Sequence, residues 1–132
     1  MQTQKFKKLA HLFAHRRQGC QKRFEKVYLK VKDEVQTAWL ADLSRMEQEF
    51  EGHFKSNQAL AQTKLTREKQ LAESTAKQVI KTVFDEWRAE VNRIVTELNG
   101  YPQNDGNILF PDGSTARMPK GLFITKEQQL QF

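Results

Sequence analysis

Over the first hundred residues, apolar side chains return at the interval of an α-helix. On a wheel advancing about 100° per residue, Phe6, Leu9, Ala10, Phe13, Cys20, Phe24, Val27, Tyr28, Val31 and Val35 fall within one arc of about 100°. The phase survives Gly19, which predicts one continuous amphipathic helix from about residue 3 to the mid-thirties, or two helices joined almost collinearly. From Trp39 the stripe continues as Leu43, Met46, Phe50 and Phe54, with its centre rotated by about 80°. That rotation predicts a break or stutter between residues 33 and 44. Ser44 and Glu47 have the S-x-x-E spacing of a capping box that could start a new helix there.

Gly52 and the polar pair Ser56-Asn57 are the expected turn, after which residues 58–98 fold back as an antiparallel partner. The most regular stretch is 76–98, where Ala76, Val79, Ile80, Val83, Phe84, Trp87, Val91, Ile94, Val95 and Leu98 make a broad apolar face. Asn99-Gly100 ahead of Pro102 ends it, with Gly100 expected in the left-handed position that closes a helix. Beyond lie short runs bounded by turn residues. Pro111-Asp112-Gly113-Ser114, between Ile108-Leu109-Phe110 and residues 115–118, reads as the turn of a β-hairpin. Two strands alone are marginal in water, so the hairpin must pack on the helices or on a partner. Residues 127–132 are expected to fray.

The expected fold is therefore mainly α: long amphipathic helices in a helical hairpin or coiled-coil-like bundle, with a small C-terminal β-hairpin. Residues 1–35 form a basic amphipathic arm, 36–99 a helical core and dimerisation region, and 100–132 the hairpin and tail. A single helix cannot cover so long an apolar stripe. It must fold back, pair with a second copy in a homodimer, or both, with Trp39, Phe50, Phe84 and Trp87 as the bulky anchors of that seam.

Charge changes the picture. The 132 residues carry a net charge of +6, but residues 1–32 hold ten Lys or Arg against one acid, Glu25, a net of +9. Residues 33–98 hold nine bases and twelve acids, and residues 99–132 three of each. Such a block attracts polyanions. On the wheel Lys5, Lys8, Arg16, Lys22, Arg23, Lys26 and Lys30 occupy an arc of about 120° beside the apolar stripe, and Arg17 adds to the same segment. These eight residues are the expected nucleic-acid contacts.

The aromatic residues of this segment, Phe6, Phe13, Phe24 and Tyr28, lie on the apolar arc and not among the bases. Single-strand binders interleave the two, so phosphate contact with low sequence specificity is expected, on DNA in preference to RNA. The competing expectation is a helical adaptor or assembly protein whose basic face docks on an acidic protein partner. A membrane partner is not expected, since no run approaches the 18 or so apolar residues of a span. A single cysteine, Cys20, excludes an internal disulfide and suggests a reducing, cytoplasmic setting. His11 and His15 stand at i and i+4 without a completing motif, and no glycine-rich phosphate loop or nucleophile elbow occurs. No metal, cofactor or enzymatic activity is expected.

Overall fold

The structure, a computed structural model, describes residues 7–131. Lys5 and Phe6 lie outside the described residues. The chain is mainly helical, with two long helices packed against each other: α1 (Leu9–Phe54) and α2 (Gln58–Glu97). A small antiparallel sheet follows, of β1 (Tyr101–Pro102), β2 (Asn107–Leu109) and β3 (Thr115–Arg117), and then a 3-10 turn, Lys126–Gln128.

The expected break between 33 and 44 is absent: α1 is one helix, and Ser44 and Gly52 lie inside it. The reason is in the spacing of inward positions. Phe13, Phe24, Val35 and Met46 recur every eleven residues and are all buried or half-buried, as are Arg17, Tyr28, Trp39 and Phe50. On α2, Ala61, Ala72, Val83 and Ile94 do the same. Eleven residues in three turns is about 3.67 per turn against 3.6 for a straight helix, so an inward stripe drifts by about 20° per repeat without any interruption. From Phe13 to Met46 that amounts to roughly 60°, most of the rotation that resembled a stutter.

The turn falls at Ser56 and Asn57, one of the two places expected. Asn57 caps α2, its side-chain oxygen accepting the Leu60 N–H at 3.1 Å. At the other end, Asn99 and not Gly100 adopts the left-handed conformation, with φ 57°. The Gly100 N–H donates to the Val95 carbonyl at 2.8 Å and the Asn99 N–H to that of Thr96 at 3.0 Å, the two bonds of a Schellman closure. Gly100 is needed for clearance: a Cβ there would lie 2.7 Å from Ile108 Cγ2 and 2.9 Å from Phe110 Cε1.

The expected hairpin is β2 and β3, in the register Asn107 with Arg117, Ile108 with Ala116 and Leu109 with Thr115. Its turn uses Pro111 as expected, and Gly113 takes the positive φ of 85°. An additional strand, β1, pairs with β2 on the other side. Pro102 is admissible there because β1 is an edge strand.

The chain packs as two compact units. The first joins the start of α1, up to Lys26, to Val83–Ile124. Its core holds Phe13, Trp87, Val91, Ile108 and Phe110, each at most 2% exposed, and the Phe13 and Phe110 rings lie 5.7 Å apart. The second joins Val27–Thr82 to the residues from Thr125 onward. Phe132 lies outside the described residues, and the described part of the tail, expected to fray, is held at two points: the Tyr28 hydroxyl donates to the Gln128 carbonyl at 2.9 Å and the Lys32 ammonium to that of Glu127 at 3.2 Å.

Candidate nucleic-acid interface

The first turn of α1 begins at Leu9 after Lys8, a residue with no capping side chain. Its four free N–H groups are nevertheless all met. His11 and Leu12 donate to the Lys8 carbonyl, Leu9 to Asp112 Oδ2 at 2.7 Å, and Ala10 to Ser114 Oγ at 3.1 Å. The β2–β3 turn thus caps a helix that starts 103 residues earlier. Hydrogen bonds from the Ser114 hydroxyl and then from the Leu9 N–H hold the Asp112 carboxyl below its ordinary value. Its negative charge also suits the positive end of the helix.

This cap fixes the first turn of α1 within the first unit. There the expected contacts divide. Lys8, Lys22 and Lys26 are exposed, and no carboxylate among the described residues forms an ion pair with them. Arg16 instead pairs with Glu97 of α2, and Arg23 approaches Glu90 at 3.6 Å while lying 5.4 Å from the Phe24 ring centre. Arg17 is half-buried and donates to Gln21 Oε1 at 3.4 Å. In the second unit Lys30 is exposed and likewise without an ion-pair partner among the described residues. No family model, curated protein or solved structure matches the chain.

Pattern alone does not reveal the acids opposite the arginines. Glu90 and Glu97 stand three residues before and four after Arg93, and both bond it. They also face α1. The Arg93 hydrogen bond holds Glu90 below the ordinary carboxylate value, and the Arg16 hydrogen bond does the same to Glu97. Both carboxylates therefore stay charged and continue to neutralise their arginines in mildly acidic solution. Cys20, beside this network, is buried, and burial pushes its thiol upward more than Arg23 pulls it down. That is the environment of an unreactive packing cysteine.

Among the described aromatic residues of the segment, Phe13 and Tyr28 are buried, and Phe24 is half-buried with its ring beside the Arg23 guanidinium. Around Lys22 and Lys26 the face therefore offers ammonium groups with one partly covered ring, Phe24, which is already taken by Arg23. Of the four seam anchors, Trp87 is buried within the first unit, and Phe84 is half-buried. In the second unit Phe50 is half-buried against Phe54, with ring centres 5.3 Å apart, and Trp39 lines an open groove. Among the described residues no group of three or more His, Cys, Asp or Glu is placed to hold a metal ion, and no helix is long and apolar enough to cross a membrane.

Proposed function

We propose that this chain binds duplex nucleic acid, DNA in preference to RNA, through the phosphate backbone, with Lys8, Lys22 and Lys26 as the primary contacts and Lys30 as a further one. The observation that carries this reading is the set of exposed lysines that have no ion-pair partner among the described residues while Arg16 and Arg23 are paired. Lys22 and Lys26 stand one helical turn apart, about 6 Å along the axis. Duplex presents a phosphate about every 3.4 Å on each strand, so each lysine has one within reach. The burial of Phe13 and Tyr28 supports duplex over single strands. With contacts confined to phosphates, binding is of low sequence specificity and strongly salt-dependent.

The test is a polarisation titration of a labelled random-sequence duplex across a salt series. Replacing Lys22 and Lys26 by Gln should weaken binding on every sequence and flatten the logarithmic salt slope by about two. Replacing Arg17, already turned inward, should do far less. Absence of binding at low salt ends this reading. Tight capture of an acidic polypeptide by the same lysines would turn it into that of an adaptor.

A further inference from the structure

Tyr28 and Trp87 are the buried aromatic residues that carry a polar tip, and the chain satisfies just one of them. The Tyr28 hydroxyl donates to the Gln128 carbonyl at 2.9 Å. Trp87 is 2% exposed, and its indole Nε1 has no acceptor among the described residues, where it is the one buried side-chain nitrogen or oxygen left unpartnered. A buried N–H gives up its bonds to water on folding, so one without an acceptor is a cost that a partner from outside the chain removes. A cavity of about 120 Å³ adjoins the same residue within the first unit. Trp87 and Val91, one turn apart on α2, line it together with Arg88 and Asn92, and the stretch after β3 adds Met118 and Pro119. Arg88 and Asn92 each follow an inward residue by one position, about 100° round the helix, and are exposed, whereas Met118 and Pro119 are half-buried. The cavity is therefore apolar within and polar at its mouth.

We infer that this cavity binds a small neutral molecule that presents a carbonyl oxygen to Trp87 Nε1 and an apolar body to Val91, Met118 and Pro119. The unmet group sets the first requirement: an indole N–H donates and never accepts, so the occupant must bring the acceptor. The walls set the second. A cavity of about 150 Å³ holds benzene, so one of this size takes about six non-hydrogen atoms. Water alone suits it poorly, because a buried water makes two to four hydrogen bonds and Trp87 Nε1 is the one unmet side-chain group of the buried wall. The mouth sets the third. Arg88 Nη1 bonds Asp85 Oδ1 at 3.0 Å, so its charge is already compensated and does not call for an anion. The inference does not depend on nucleic-acid binding.

Proton–nitrogen correlation spectra of the full chain test it. The chain has two tryptophans and hence two indole signals, and Trp39→Phe, in the second unit, identifies the signal of Trp87. The probe is cyclopentanone. Methylenecyclopentane has the same shape with the oxygen replaced by carbon, and isobutyrate is an anion of similar size. Cyclopentanone should move the Trp87 indole proton downfield and saturate at about millimolar concentrations, as a ligand of about six atoms does. It should bind about two- to tenfold more tightly than methylenecyclopentane, which fills the space without accepting the bond. An indole signal unmoved by cyclopentanone up to about 50 mM overturns the inference. An equal response to methylenecyclopentane overturns it too, because the N–H then plays no part. A response to isobutyrate alone does the same, since the site is then one for anions.

Discussion

Gly100→Ala gives a sharp test of the packing beneath the sheet. In most loops this exchange stabilises a protein by about 0.4–1 kcal/mol, because alanine has less freedom to lose on folding. Here the added methyl would stand 2.7 Å from Ile108 Cγ2, 2.9 Å from Phe110 Cε1 and 3.0 Å from Val95 Cγ1. All three side chains are at most 4% exposed, so none can swing aside. Overpacking of this kind costs about 1–3 kcal/mol. After the entropic gain, a net loss of about 1–2 kcal/mol remains. For a chain of this size that lowers Tm by roughly 3–10 °C. Gly19→Ala is the matched control. It sits inside α1 with nothing within 4 Å of its would-be Cβ, so alanine should add about 0.5–1 kcal/mol and raise Tm. Thermal melts followed by circular dichroism read both. A Gly100→Ala variant melting at or above the parent would show that Ile108 and Phe110 do not press on the end of α2 as described.

Two further outcomes rest on helix ends. Asn57→Ala removes the acceptor of the Leu60 N–H and should cost about 1 kcal/mol, seen as a lower Tm with unchanged helix content at room temperature. Asp112→Ala should also lower Tm at neutral pH, since the first two N–H groups of α1 depend on the turn it belongs to. The Asp112 carboxyl sits below its ordinary value of 3.8 in the folded chain, so its contribution is present above that value and fades as pH falls through the depressed one. The gap in Tm between parent and variant should therefore close in strong acid. A gap independent of pH would refute the assignment of the cap to the charged carboxylate.

The helices and the β2–β3 hairpin were legible because each rests on local pattern: helical return of apolar residues, no proline before Pro102, and Pro-Asp-Gly at the hairpin turn. The unbroken course of α1 was not, because a wheel fixed at about 100° per residue turns a slow drift into a false discontinuity. β1 was hidden by its shortness, two residues of which one is proline, whose pairing is set by β2. At the candidate interface, the exposure of Lys22, Lys26 and Lys30 followed from their arc on the helix. The pairing of Arg16 with Glu97 and of Arg23 with Glu90 did not, since it depends on how far α2 slides along α1, and that register is a property of packed side chains distant in sequence. The same holds for Asp112 and Ser114, whose carboxylate and hydroxyl look like ordinary turn chemistry until α1 is seen above them.

The distant cap has a consequence for the order in which the molecule is completed during synthesis. Leu9 and Ala10 find their acceptors only on residues made more than a hundred positions later. At about 5–20 residues per second, roughly 5–20 s pass between the polymerisation of Leu9 and that of this turn. Glu90 and Glu97 arrive nearly as late. Until those residues are made, the first turn of α1 is uncapped and its arginines lack these carboxylates, so closure passes from later residues back to earlier ones.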